Sequence, residues 1–376
     1  LRVLHLTSTY PRGPGDATGP FLADLVAVTR QAGADVRVVA PYGAGVVPME
    51  GVVRFRYGPA ATEVLAYRGG LPAAVRGPGA VMVPPYLAAM SVVAVREARR
   101  WRPDVVHAHW WLPGGAAALP TGAAAGAPVV LTLHGSDVAV AHRARPLARA
   151  VARRAAAVTA VSVALAEEAS SLLGLEVTVT AMPVMVGPAG TGERAGVVAV
   201  GRLAPEKGFD VLLDAARLAP VPLTVVGAGP MERELRARAA GLDVRFAGAV
   251  GRAELHRLLA GAVAVAIPSR REGLGLVAVE AILLGTPVIA SYTGGLPEAL
   301  GVFEPVPPAY GEVVDAPGGL LVPPGHVGAL AAALERAAAL PAPGPLALAA
   351  AARHRPDAVA EHHLALYRRV LGAAPG

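Results

Sequence analysis

One supersecondary pattern occurs twice along this chain, and it leaves few folds open. The apolar run Arg2–Leu6 leads through a Gly/Pro-rich loop, Pro11–Pro20, into a helix-periodic stretch, Phe21–Gln31. Gly33 stops that helix ahead of a second apolar run, Val36–Ala40. In the second half, Val197–Val200 leads into the loop Gly201–Gly208, then a helix over Phe209–Leu218 and a run at Leu223–Val226. Strand, phosphate-sized loop, helix and parallel strand form the opening of a Rossmann-like unit. Further runs follow at Val105–His107, Val129–Leu133 and Val158–Val161, and again at Val244–Ala247, Val263–Ile267 and Pro287–Ala290. Strands covered on both faces read as continuous apolar runs, as these do. The Gly/Pro-rich stretch Val186–Gly196 reads as a linker. The pattern predicts an α/β protein of two Rossmann-like domains, residues 1–185 and 186–355, with parallel sheets facing a central cleft. A terminal helix, about Pro356–Leu371, carries apolar-face residues Val359, His363, Leu366 and Val370 at helical spacing within residues 356–376. Ligands of such sheets sit beyond the C-terminal strand ends, so the chemistry belongs in the loops that follow strands.

Other classes are excluded by composition. A chain of 376 residues with 54% hydrophobic and 16% charged residues is not disordered. A net charge of +6, spread along the chain, suits phosphate-bearing partners but is too mild for a nucleic-acid binder. Without cysteine there is no disulfide, thiolate metal site or thiol nucleophile. The longest stretch free of Asp, Glu, Lys and Arg, Val105 to Ser136, is broken by prolines and glycines, and the stretch Gly77–Val95 is interrupted by Pro84 and Pro85. Neither reads as a membrane span. The N-terminus opens directly on a strand pattern, so no leader is expected. The expectation is a soluble, cytoplasmic protein. Arg143, Arg145, Arg149, Arg153 and Arg154 make a basic helix around 145–158, read as a solvated face or as a patch for peripheral contact with an anionic membrane face.

Asparagine is absent and lysine occurs once, at Lys207, in a chain that otherwise uses arginine. That lysine lies in Gly201-Arg202-Leu203-Ala204-Pro205-Glu206-Lys207-Gly208, after a strand and before a helix. A guanidinium, an ammonium and free N–H groups at a helix start suit a diphosphate; the alternative is a pair of solvated loop charges. In Pro268–Gly285 a strand end is followed by a turn, Gly273–Gly275, and an apolar helix stopped by Gly285. Glu280 lies inside that helix, where an unpaired carboxylate would cost several kcal/mol. Ligand hydroxyls or an arginine from another element would satisfy it. Glu272, at the strand's C-terminal end, faces the cleft. In the first half, His107-Ala108-His109-Trp110 and His134-Gly135-Ser136-Asp137 follow adjacent strands, and His107 and His109 share one face. They suit cleft lining or half-buried structural roles. A metal reading needs a further ligand, from His134 or Asp137, and lacks supporting spacing. Gly227-Ala228-Gly229-Pro230 lacks the third glycine of a dinucleotide fingerprint, which disfavours an NAD-dependent dehydrogenase.

Taken together and in order, G-R-L-A-P-E-K-G at Gly201–Gly208, E-G-L-G-L-V-A-V-E at Glu272–Glu280, G-G-L-P-E at Gly294–Glu298, V-P-P-G at Val322–Gly325, H-G-S-D at His134–Asp137 and H-A-H-W at His107–Trp110 resemble the glycosyltransferase family 4 enzymes. That resemblance spans nearly the whole chain. It implies the GT-B fold, with the terminal helix crossing back onto the first domain, and retaining transfer of a hexosyl group from a nucleotide diphosphate sugar, UDP-linked, to an acceptor hydroxyl. By resemblance, Arg202 and Lys207 hold the diphosphate and Glu280 the ribose hydroxyls. Glu272 holds the transferred sugar, and the backbone of Gly273, Leu274, Gly275 and Leu276, with Gly201 and Gly19, completes the donor site. His134 sits beside the sugar, and His109 and Asp137 lie on the acceptor side. No metal and no cofactor beyond the co-substrate are implied. The acceptor is a small molecule, a lipid-linked sugar or a saccharide; a nucleotide-sugar epimerase and a non-catalytic sugar-binding protein are the alternatives. Three departures stand out. Gly13, Gly15 and Gly19 are spaced apart where the family has adjacent glycines. Residues 299–319 are long and proline-rich. His326 replaces an acidic residue, which should weaken the cap of the following helix.

Overall fold

The structure, a computed structural model, describes residues 1–16, 19–59, 63, 65–67, 78–187, 193–304 and 306–373. Ala17 and Thr18 of the glycine loop, Gly77, residues 188–192 of the linker, Pro305 and the last three residues lie outside the described residues. The chain divides into two compact units, Leu1–Pro183 with Pro356–Gly376, and Val184–Arg355.

In the first unit, seven parallel strands form one sheet: β1 (Arg2–Leu6), β2 (Asp35–Pro41), β3 (Val52–Phe55), β4 (Val105–His109), β5 (Val129–Leu133), β6 (Ala157–Ala160) and β7 (Thr178–Val179), in the order β3-β2-β1-β4-β5-β6-β7. The apolar runs sit in the middle because helices cover both faces there; β4 and β5 are buried at every position. The short β3 and β7, at the edges, carry too little apolar pattern to be seen in advance. The helix Pro356–Gly372 belongs to this unit. Its Leu364, Leu366, Tyr367 and Val370 pack with Val3, Leu22, Val36, Val105 and Val130. Each fully buried side chain of that kind stabilises by about 1.5–3 kcal/mol.

Two expectations need correction here. Pro84 and Pro85 do not interrupt a helix; they start one. They stand in the first turn of Val83–Trp101, where a missing N–H costs nothing. Gly79–Trp101 is therefore, among the described residues, one helical stretch long and apolar enough to cross a membrane by length and composition. It buries Tyr86, Met90, Ala94 and Ala98, and its Glu97 receives a 2.5 Å bond from Arg37 on β2. The basic helix is shorter than expected, Arg145–Ala152, because the chain turns into β6 at Ala157. Two of its arginines are engaged: Arg145 Nε donates to the Leu172 carbonyl at 2.7 Å and Arg149 Nε to Leu173 at 2.8 Å. They complete the carbonyl end of the helix Val163–Leu173, where cations are favoured.

The second unit repeats the plan: β8 (Val197–Val200), β9 (Leu223–Val226), β10 (Val244–Gly248), β11 (Ala264–Ile267), β12 (Val288–Ser291), β13 (Val314–Ala316) and β14 (Gly319–Val322), in the order β10-β9-β8-β11-β12-β14-β13. The sheet is not wholly parallel. Pro317 and Gly318 turn the chain back on itself, so β13 pairs antiparallel with β14 at the edge, within the proline-rich stretch 299–319. His326 does cap the helix Val327–Glu335, contrary to expectation: its Nδ1 accepts from the Ala329 N–H at 2.9 Å, the bond an acidic residue would make.

Candidate active site

Among the parallel strands of each sheet the order reverses once, between β1 and β4 and between β8 and β11. Crevices open at such points, beyond the C-terminal ends of the strands. Lys207 and Glu272 fall on the loops after β8 and β11, His107 and His109 on β4 itself, and H-G-S-D on the loop after the next strand, β5.

In the second unit the loop after β8 and the loop after β11 are knit together. Lys207 Nζ donates to Glu272 Oε2 at 2.7 Å, and Ser269 Oγ donates to the same oxygen at 3.0 Å. The Arg270 and Arg271 N–H groups donate to the Glu206 carbonyl at 2.8 and 3.3 Å. Arg270 also forks onto Asp210 at 2.8 and 2.6 Å, a bond that holds the Asp210 carboxyl below its usual range. Gly208 (φ 66°) and Gly294 (φ 54°) permit this closeness: a Cβ there would collide with the Pro268 and Glu272 carbonyl oxygens, respectively. Arg202 pairs with Glu206 and is half exposed, whereas the Lys207 and Glu272 side chains are 26% and 13% exposed. Both cations are thus held by carboxylates at the mouth of this switch point. Gly201 lies at the start of the first loop, and Gly273, buried Leu274 and Gly275 shape the second. The helix Leu276–Leu283 starts at Gly275 with no side-chain cap, so its leading N–H groups are left for a ligand or water. Glu280, expected to be buried, is half-buried on this helix. Glu298 of G-G-L-P-E is buried and accepts from Arg353 at 3.0 Å, a structural pair.

In the first unit, β1 and β4 bring three histidines together. His5, missed in the sequence, lies opposite His107 in the parallel register. His5 Nδ1 and His109 Nε2 are 2.9 Å apart, and His109 Nδ1 and His134 Nε2 are 3.0 Å apart. His107 bonds Tyr367 Oη at 2.8 Å through Nδ1 and Thr132 Oγ1 at 2.7 Å through Nε2. Burial lowers all four imidazoles, His5 and His134 to about 3 and His107 and His109 well below the usual value, so the cluster is neutral at pH 7. The ligand atoms of His5, His107 and His109 lie within 4.8 Å of one another, as a metal would require. Both nitrogens of His107 and of His109 already have partners, however, and an ion would displace those bonds.

Two expected acceptor-side residues are corrected by these contacts. His109 is wholly buried and bonds the half-buried His134. Asp137 is also buried: Oδ1 accepts from the His134 and Gly135 N–H groups at 3.0 Å each and Oδ2 from Trp111 N at 3.3 Å. It shapes the turn that presents His134 instead of facing a substrate. Burial raises Asp137 to about 6, against the pull of these N–H donors. Half-buried His134 is the histidine of this chain of contacts that opens outward. Gly19 (φ 63°) begins the helix Pro20–Gln31.

Residues 19–184 match the family described as Glycosyltransferase Family 4, and residues 194–339 match Glycosyl transferases group 1. The chain is 31% identical over 328 residues to TuaC of Bacillus subtilis, named as a glycosyltransferase of teichuronic acid biosynthesis, with 80% of this chain and 83% of that one covered. It is 32% identical over 335 residues to a 2-deoxystreptamine glucosyltransferase of Streptomyces kanamyceticus, covering 76% and 83%. Among solved structures it resembles a sucrose-phosphate synthase of Thermosynechococcus elongatus (TM-score 0.78, 21% identity, 99% and 100% covered). HepE of Anabaena, solved with UDP and glucose, gives TM-score 0.65 at 21% identity, with 99% of each chain covered.

Proposed function

The chain belongs to glycosyltransferase family 4, with the GT-B fold, and from that premise we propose that it moves a hexosyl group from a nucleotide diphosphate sugar, UDP-linked, to an acceptor hydroxyl with retention of configuration. The observation that carries the reading is the Lys207–Glu272 pair, 2.7 Å apart across the switch point of the second sheet. A cation and a carboxylate in contact suit adjacent parts of one ligand: a diphosphate on the ammonium and sugar hydroxyls on the carboxylate. Arg202, beside them, swings from Glu206 to the second phosphate. Glu280 accepts from the ribose, and the uncapped N–H groups at Leu276 join Gly201, Gly273, Leu274 and Gly275 around the phosphates. His134 touches the transferred sugar.

As the sugar–phosphate bond breaks, negative charge grows on the departing oxygen. Fixed cations and N–H dipoles aimed there lower the barrier, and loss of one such donor typically costs about 3–4 kcal/mol. The departing phosphate takes the acceptor proton on the same face, which needs no second carboxylate and leaves the configuration unchanged. The cations do the neutralising work, so the reaction takes no metal and no cofactor beyond its co-substrate. The protein acts in the cytoplasm on a small-molecule, lipid-linked or saccharide acceptor. Arg143 and Arg153, which flank the basic helix, are left for an anionic surface.

A thermal-shift screen against a panel of nucleotide sugars, followed by NMR of the product formed with the stabilising donor, tests this. An α-linked donor giving an α-linked product supports retention; an inverted anomer, or donor converted to an isomer with no acceptor present, refutes the proposal.

A further inference from the structure

The three rings His5, His109 and His134 form one hydrogen-bonded chain whose proton count is fixed. Each of its two nitrogen–nitrogen bonds holds one proton, and a neutral imidazole carries one N–H. His109 must therefore donate through one nitrogen and accept through the other, so both bonds run in the same direction. The chain ends at His5 Nε2, which is buried and without a hydrogen-bond partner among the described residues. If the protons run toward His5, that end is an N–H with no acceptor. If they run toward His134, it is a bare lone pair. Orphaned buried N–H groups are the rarer defect in proteins. His107 offers no relief, because its own nitrogens are taken by Tyr367 and Thr132.

We propose that His109 is a positioning residue that fixes His134 as the Nδ1–H tautomer, with the acceptor-free end of the chain at His5 setting the direction and His134 Nε2 accepting from His109. Two consequences follow. The one lone pair of His134 is occupied, so the ring cannot act as a general base toward a substrate. Its Nδ1, which makes no hydrogen bond among the described residues, presents a proton to an oxygen acceptor of the ligand. Burial supports the count by keeping the rings neutral, since a second proton on any of them would break the directional rule. The consequence for catalysis rests on the reading of His134 as a sugar contact; the tautomer does not.

The test is ¹⁵N spectroscopy of the full chain labelled at histidine, at pH 7.5 and without substrate. The His134 signals are identified by their loss in His134→Gln. The expected spectrum has His134 Nδ1 in the protonated range and Nε2 in the bare-nitrogen range. His109→Leu removes the donor to His134 Nε2 and should let His134 average between tautomers. A wild-type His134 carrying its proton on Nε2 overturns the proposal even if the variant does not fold, and so does a folded His109→Leu protein whose His134 signals do not move. Turnover separates the catalytic reading. His134→Gln can still donate, so it should exceed His134→Leu by about tenfold, the worth of one hydrogen bond. Equal losses overturn the donor role and leave the tautomer standing.

Discussion

Mild acid should unfold the first unit through its histidines. His5, His107, His109 and His363 are each no more than 1% exposed in the native chain. Burial lowers His5 to about 3 and His363 to about 4, and His107 and His109 lie well below their ordinary value. In the unfolded chain each titrates near 6.5. As pH falls below 6.5 the unfolded chain therefore takes up protons that the native protein refuses, and stability is lost until the native groups begin to titrate near pH 4. Each group costs about 1.4 kcal/mol per pH unit in that window, and four together about 5–6. Asp137 acts the other way. Raised to about 6, it holds a proton in the native state that the unfolded chain releases above about 4, so acidification returns about 1.4 kcal/mol per unit between those limits. His134 is partly exposed, and solvent screening makes its share smaller. The net loss is about 4 kcal/mol per pH unit, and a domain's whole stability is about 5–15 kcal/mol.

The assay is unusually clean, because all three tryptophans, Trp101, Trp110 and Trp111, lie in the first unit. Urea unfolding followed by tryptophan emission at pH 7.5, 6.5, 5.5 and 5.0 should show a midpoint that holds down to pH 6.5 and then drops steeply. In His5→Leu the slope of stability against pH should fall by about 1.4 kcal/mol per unit, one group's share. A midpoint flat from pH 7 to 5, or an unchanged slope in the variant, would refute the buried-neutral account of the cluster.

Further outcomes follow from single contacts. Lys207→Ala should lower kcat by about 10²–10³ in a protein that still folds, with some loss of melting temperature because the mostly buried Glu272 loses a donor; unchanged turnover in a product assay removes it from the site. Gly294→Ala pushes a Cβ into the Glu272 carbonyl oxygen at φ 54°, so calorimetry should show the second unit destabilised by about 3 kcal/mol, and a wild-type transition would refute the close approach. Tyr367→Phe removes the 2.8 Å partner of His107 Nδ1 and should cost about 1–3 kcal/mol in the tryptophan-detected transition, with no cost if water replaces the hydroxyl.

What the sequence disclosed and what it hid divide along a physical line. Local period reports burial, so the continuous apolar runs placed β1, β2, β4, β5 and the central strands of the second sheet. Glycine stops ended the helices, and alternation put His107 and His109 on one face. The same runs placed Lys207 and Glu272 at strand ends, because the loop after a strand is a property of adjacent residues. Pairing partners are not local. His5 sits in an apolar run with no motif around it, and only the neighbouring of β1 and β4 joins it to His107 and His109. The missed β3, β7 and the β13–β14 hairpin are edge pieces of two to four residues, too short for any period to register.

The acidic and basic side chains show the limit from the other side. An acid in a motif reads as chemistry, yet Asp137 and Glu298 spend their carboxylates on backbone N–H groups and on Arg353. Arg145 and Arg149 read as a charged surface and close a helix end instead. In each case the residue type was legible and the partner was not, and the partner decides between holding a loop and meeting a ligand. His134 joins the two kinds. Its backbone is set by Asp137 and its ring by His109, so the placing of one outward-facing nitrogen depends on residues from β1, β4 and the H-G-S-D turn. A short motif at this position records the last link of a longer chain, and substitutions at His109, which lies in a different motif, should be felt at His134.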